Sequence, residues 1–323
     1  MMDGICMARE VIIVDTAPRD GLGALPRKVP TSEKVALANC LVEAGVSKID
    51  CAAFTHPRLR PEYADAEEVI KALPRNPNTT FLGIAPNEVA CRRALSVDVD
   101  EIGILIGATE SFNKLVLGTS IKETLFKTFP PIFQACNEKE KPIRVYLLAA
   151  FGCEYEGKLP TKSLVELIHK LGFMGAKEIS LVDSTGMANP KLVRETIRAL
   201  DKVDAEVNIA VHFHNTRGLA LANVLAAYEE GARIFDSALG GLSGTPFGVP
   251  KMNIGCWNVA TEDLVYLFEQ MGVNTGIDLD GLIDAVRFAE KLARQELPGH
   301  ILRARVALDR QSLPSASALT KIV

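Results

Sequence analysis

Short apolar runs alternate with longer segments of helical periodicity from Val11 almost to the end of the chain. A brief run of apolar and β-branched residues bounded by turn residues reads as a buried strand. Apolar positions spaced by three and four read as an amphipathic helix. On this pattern strands are predicted at Val11–Val14, Lys48–Asp50, Thr80–Gly83, Glu101–Ile106, Ile143–Ala150, Glu178–Val182, Glu206–Phe213 and Arg233–Ser237. Between them lie helix-length segments, among them Thr31–Ala44, Pro61–Leu73, Asn87–Leu95, Ser120–Asn137, Thr161–Leu171, Pro190–Ala199 and Leu219–Glu230. Two further helices, Val259–Met271 and Leu279–Gln295, follow the last strand.

The punctuation agrees. Thr31 and Thr161 stand where helices open, and Asn189-Pro190 puts proline at a first helical position. Gly45, Gly172, Gly231 and Gly272 sit where helices should stop. Eight βα units with no linker between them predict a closed parallel (β/α)8 TIM barrel with additional C-terminal helices; an open doubly wound sheet is the alternative. The whole chain, 1–323, reads as one domain, with a tail at 1–10 and helices and a tail at 259–323.

Composition narrows the function. Hydrophobic residues make up 48% and charged residues 24% of the 323, which suits a large core. A formal net charge of −4 argues against a nucleic-acid partner, since phosphate binding wants a basic field. No apolar run reaches membrane-spanning length, and MMDGICMAREVIIVD lacks the order of a signal peptide. The seven cysteines are odd in number and form no CxxC pair. A disulfide framework or structural zinc site is therefore not expected, and a reducing cytoplasm is.

In a barrel, residues just past the C-terminal ends of the strands line the active-site face. After the first strand comes Thr16-Ala17-Pro18-Arg19-Asp20-Gly21, which offers one cation and one hard anionic ligand, or else a plain turn with a surface arginine. The seventh strand ends in His212-Phe213-His214, and residues two apart share a strand face. Both imidazoles therefore point one way, as half of a metal site or as two satisfied core histidines. The run Leu239–Pro250 is rich in Gly and Pro and reads as a lid or a connector. It leads to Asn258, which can offer an amide oxygen to a metal but by itself reads as the cap of the following helix. Asp50 and Asp183 lie at the ends of the second and sixth strands, as anchors for Arg19 and the histidines or as structural ion pairs.

Together the stretches VDTAPRDGL, EAGVSKIDCAAF, ISLVDSTGMANP, AVHFHNTRGLALAN and NVATEDLVYLFEQMGVNTGID resemble the 3-hydroxy-3-methylglutaryl-CoA lyase family from about Val11 to Asp278. The resemblance implies that Asp20, His212, His214 and Asn258 are ligands of a divalent metal, Mg²⁺ or Mn²⁺. It implies that Arg19 stabilises the enolate oxygen of the departing thioester, that Asp50 supports the site where the family has Glu, and that Asp183 assists proton transfer. The implied activity is retro-Claisen cleavage of a 3-hydroxy-acyl-CoA to acetyl-CoA and an oxo acid, by a homodimer.

Two departures bear on the substrate. Where the family's lid carries Cys in GGCP, this chain reads Ser243-Gly244-Thr245-Pro246, and the loop from Thr245 to Asn258 is about four residues longer. Cys256 lies in that loop as a substitute acid or as a small buried residue, and Arg217 replaces a usual aromatic. A citramalyl-CoA-like substrate, a Claisen-type synthase or aldolase, and a non-catalytic CoA-ester-binding barrel are the alternatives.

Overall fold

The computed structural model describes residues 10–200, 207–243 and 257–310. Thr245 and Cys256 lie outside the described residues, as does the first residue predicted for the seventh strand, Glu206. The strands are β1 (Ile12–Asp15), β2 (Lys48–Ala53), β3 (Thr80–Ile84), β4 (Glu101–Gly107), β5 (Ile143–Leu148), β6 (Glu178–Asp183), β7 (Asn208–Phe213) and β8 (Ile234–Ser237). Each pairs in parallel with the next, and β8 closes on β1 through Ile12↔Ile234 to Asp15↔Ser237. The open-sheet alternative is set aside. β3 to β6 are buried on both faces almost throughout, as parallel strands under a helical layer must be.

The helices are α1 (Thr31–Glu43), α2 (Ala66–Ala72), α3 (Glu88–Ser96), α4 (Glu110–Leu117), α5 (Ile121–Glu123) and α6 (Phe129–Asn137). They continue as α7 (Thr161–Phe173), α8 (Pro190–Leu200), α9 (Ala220–Glu229), α10 (Thr261–Gln270), α11 (Leu279–Ala293) and α12 (His300–Arg310). Among the described residues no helix is long and apolar enough to cross a membrane.

Several boundaries differ from the pattern, each for a local reason. The predicted helix Ser120–Asn137 is broken by a π-helical turn at Thr124–Thr128, just before Pro130 and Pro131, which have no N–H to give to the preceding turn. Pro61–Leu73 splits into a 3₁₀ turn, Pro61–Tyr63, and α2. Thr31 caps nothing: it lies inside α1 and its hydroxyl bonds Asp65 at 2.7 Å. Thr161 is likewise the first residue of α7 rather than its cap. Gly172 does not end α7, which runs to Phe173; the left-handed residue there is Gly175. α4 is not among the predicted helices, although Thr109 accepts from Phe112 N–H and Gly118 closes it. α12 is absent from the predicted set as well.

Most of the core lies between sheet and helices, and α11 packs on α1 to close the seam between the last βα unit and the first. Gly45 allows this: its φ is +89°, and a Cβ there would lie 2.7 Å from Gly276 O. The barrel interior holds a second cluster, with Leu82, Ile84, Leu105, Tyr146 and Val182. Between Asp50 and Ala52 the β2–β3 register shifts, leaving Cys51 as a bulge beside Asp50. Bulges of this kind re-aim side chains near active sites.

Candidate active site

β1 ends at Asp15 and the chain turns at once into a π-helical turn, Ala17–Gly21. Asp15 Oδ1 accepts the N–H of Ala17 at 2.8 Å, and the Thr16 hydroxyl donates to Ser237 O at 3.1 Å. The turn carries Arg19 inward, so the surface-arginine alternative falls: Arg19 is 5% exposed. Its Nε and Nη2 donate to Asp50 Oδ2 at 2.9 and 2.5 Å, and Nη1 donates to Asp20 Oδ1 at 3.0 Å. The Tyr63 hydroxyl donates to Arg19 O, and the Tyr146 hydroxyl donates to Asp50 Oδ2, both at 3.3 Å. Burial disfavours the charged guanidinium, but Asp50 and Asp20 outweigh it and hold the side chain protonated.

At the end of β7 the alternation holds. Phe213 points outward onto Phe151, with ring centroids 5.5 Å apart. His212 and His214 point inward, with centroids 5.1 Å apart. Asn258 is no helix cap: α10 starts at Thr261 without a side-chain cap. Its Oδ1 lies 2.9 Å from His212 Nε2, and its Nδ2 lies 3.4 Å from both Thr16 Oγ1 and Asp20 Oδ2. His212 Nδ1 meets Asp236 Oδ2 at 3.1 Å. Burial, reinforced by His212, pushes His214 down to about 3, so its imidazole is neutral. Its Nδ1 is buried without a hydrogen-bond partner.

The structure thus brings Arg19, Asp20, Asp50, His212, His214 and Asn258 together at the C-terminal mouth. Asp183, at the end of β6 beside β7, lies within electrostatic reach of His212 and Arg217. Its carboxylate accepts the N–H groups of Met187 at 2.8 Å and Ala188 at 3.1 Å, and burial raises it to about 6 against those bonds. Arg217 sits on the rim, bonded to Thr185 O and to Glu154 at 3.3 Å. Asp236, Arg144, Tyr146 and Tyr63 are site residues that the sequence pattern does not single out. The available signal was a charge or a hydroxyl inside an apolar strand, as in IRVYLL of β5 and IFDS of β8.

The donor set fits a hard divalent cation. His212 turns Nδ1 to Asp236 at 3.1 Å and Nε2 to Asn258 Oδ1 at 2.9 Å, so a ring nitrogen and an amide oxygen, each able to give a lone pair to a cation in place of the hydrogen bond between them, converge. Nδ2 near Asp20 and Thr16 fixes which end of the amide is oxygen. Among the described residues no three His, Cys, Asp or Glu side chains are already grouped as a metal site. The fit therefore rests on the converging His212 Nε2 and Asn258 Oδ1 and the neutral, orphaned His214.

Behind the mouth, Glu262 on α10 is fully buried, with Oε2 on Gly240 N–H at 3.0 Å. Burial, then Asp263, raises it from 4.5 to about 8. Its protonated form stabilises the fold fully below pH 4.5, and that contribution is lost as pH rises through about 8. Each tenfold change in proton affinity is worth roughly 1.4 kcal/mol, so the loss is of order a few kcal/mol. Urea unfolding should show stability falling from pH 5 to pH 8 in the wild type and a flatter profile in Glu262→Gln. Parallel profiles would refute the assignment.

Fold and site together define a (β/α)8-barrel enzyme whose mouth holds the buried guanidinium of Arg19 beside a convergent set of hard donors. The family model described as HMGL-like matches residues 10–288, and the chain belongs to that family, one of carbon–carbon lyases. It is 34% identical over 298 residues to the hydroxymethylglutaryl-CoA lyase YngG of Bacillus subtilis, covering 91% of this chain and 97% of that one. An HMG-CoA lyase from Acinetobacter baumannii, solved in complex with coenzyme A and 3-methylmalate, superposes with a TM-score of 0.86 at 35% identity, covering 94% and 98%. The hydroxymethylglutaryl-CoA lyase of Pseudomonas aeruginosa superposes with a TM-score of 0.88 at 30% identity, covering 94% and 99%.

Proposed function

We propose that this chain cleaves a 3-hydroxy-acyl-CoA, such as 3-hydroxy-3-methylglutaryl-CoA, to acetyl-CoA and an oxo acid by retro-Claisen chemistry with Mg²⁺ or Mn²⁺. The observation that carries it is a permanently charged, buried Arg19 beside the converging nitrogen and oxygen of His212 and Asn258. Coenzyme A and a hydroxy acid in the Acinetobacter relative support a hydroxy-acyl thioester.

Asp20, His212, His214 and Asn258 would hold the cation. When bound, it supplies the Lewis acidity that makes a tertiary hydroxyl easier to deprotonate. As the hydroxyl proton leaves, the carbon–carbon bond breaks and its electron pair moves into the thioester as an enolate. Arg19, clamped by Asp50 and Asp20, is held in place to meet that oxyanion without reorganising. Protonation at carbon then yields acetyl-CoA.

Asp183, raised to about 6, is matched to proton transfer near neutral pH. As a base it must be ionised, so kcat/KM should rise as pH passes about 6. Asp183→Asn should lower kcat by about 10²–10⁴; an unchanged kcat and pH profile would remove it from the mechanism.

The reading as a whole is tested by offering the purified protein a panel of CoA thioesters and assaying free acetyl-CoA, with and without EDTA and added Mn²⁺. Release from none of them would refute it. Thr245 in place of the lid cysteine favours a substrate other than the methylglutaryl thioester, because a threonine hydroxyl is far too weak an acid near neutral pH. The methylglutaryl thioester should therefore turn over more slowly than the best substrate of the panel, and Thr245→Cys should raise its cleavage. Turnover near the usual ~10 s⁻¹ on the methylglutaryl thioester, unaffected by Cys256→Ser, would exclude both thiol arguments.

A further inference from the structure

Cys91 on α3 and Cys136 on α6 bring their sulfurs within 3.5 Å of each other, although 45 positions separate them in the chain. Both are free thiols and both are buried. A buried thiol is ordinarily a small hydrophobe and chemically inert. Two observations set this pair apart. A cavity of about 640 Å³ lies at the end of α6 and the starts of β5 and β6, lined by Cys136 together with Phe133, Asn137, Lys141, Met174 and Lys177. The second is the contact itself. The hydrogen bond with Cys136 holds the Cys91 thiol below its ordinary value against its burial, helped by the charge of Arg92.

The sulfurs of a disulfide lie about 2.05 Å apart, so closure asks for a movement of roughly 1.5 Å. α3 and α6 pack directly on each other, and side-chain rotation with a small shift of the short α3 supplies it. Cys51 and Cys153, by contrast, meet oxygen rather than sulfur: Ile49 O at 3.5 Å and Thr109 Oγ1 at 3.4 Å. Both helices of the pair belong to the outer layer, so the two thiols stand outside the mouth and its donor set.

We propose that Cys91 and Cys136 form a reversible oxidation site, closing to a disulfide between α3 and α6 when hydrogen peroxide enters the cavity. Cys91, as the thiolate, attacks one peroxide oxygen and the O–O bond breaks. Cys91 becomes a sulfenic acid, and the leaving hydroxide takes up the proton released from the thiol to give water. The Cys136 sulfur then attacks the sulfenic sulfur. An S–S bond forms, the S–O bond breaks, and the hydroxyl leaves with the Cys136 proton as a second water. The two thiols lose two electrons and one peroxide gains them. A second thiol in contact with the sulfenic acid stops oxidation short of the irreversible sulfinic form. The site is independent of the metal and acyl-CoA chemistry at the mouth.

The test treats the folded, full-length protein with a small excess of hydrogen peroxide, unfolds it in iodoacetamide and digests it with trypsin. Cleavage after Arg75, Arg92, Lys127 and Lys139 leaves Cys91 and Cys136 on separate peptides with one cysteine each. Mass spectrometry should find these peptides joined, two hydrogens lighter than their sum. Dithiothreitol before alkylation should return both to the alkylated form. In Cys91→Ser the same treatment should leave Cys136 alkylated. The wild type decides the matter, so the result does not depend on how well a variant folds. Full alkylation of both cysteines in the wild type after peroxide would overturn the proposal. So would Cys91 recovered as the sulfinic acid with Cys136 alkylated, or Cys91 joined to a different cysteine.

Discussion

His212→Ala is expected to empty the site of divalent metal and abolish cleavage while the barrel stays folded. His212 is 5% exposed and uses both ring nitrogens, one on Asp236 and one toward Asn258. Alanine removes a ring nitrogen that no neighbour can replace, because His214 already occupies the other inward position at the end of β7. The fold should survive, since Asp236 keeps Arg144 and Ser180 as partners. The remaining loss is one hydrogen-bonded buried side chain, of order 1–3 kcal/mol. Metal affinity should drop by more than the roughly 100-fold that outer partners can account for. Elemental analysis of purified protein, Mn²⁺ titration and circular dichroism check the three parts. Metal content equal to wild type would take His212 out of the ligand set.

Arg19→Met should fold and bind metal but lose turnover by about 10²–10³-fold or more, the range for removing a single preorganised oxyanion donor. The effect should fall on kcat rather than KM, because Arg19 is placed to meet charge that develops only as the bond breaks. Methionine matches much of the buried volume but leaves Asp50 with the Tyr146 hydroxyl as its remaining hydrogen bond, so some stability should go as well. Asp50→Asn tests the clamp separately: Arg19 keeps Asp20, and the loss of turnover should be smaller than for Arg19→Met. Near-normal kcat in Arg19→Met on the best substrate would exclude the enolate role.

The barrel was legible along the chain because parallel strands buried on both faces read as short apolar runs, and the helices between them announce themselves by period. The inward placement of His212 and His214 followed from strand alternation alone, since the period of two is local geometry. Arg19 and Asp20 could be placed at a strand end in the same way, but not turned. Burial of Arg19 depends on the π-helical turn and on Asp50, 31 residues away and aimed beside a bulge that no local signal marks. Asn258 shows the limit most clearly. Its sequence neighbourhood reads as a helix cap, and only the closure of the barrel, β8 onto β1 and β7, brings its amide to His212 and Asp20, 46 and 238 positions away. The Arg144–Asp236 pair was equally hidden, because a charge inside a strand has meaning only when the opposite charge arrives from across the barrel. Local periodicity determined the elements and their inward faces. Long-range contacts, which carry no signature in any window of sequence, decided which of those inward groups meet and in what state of charge.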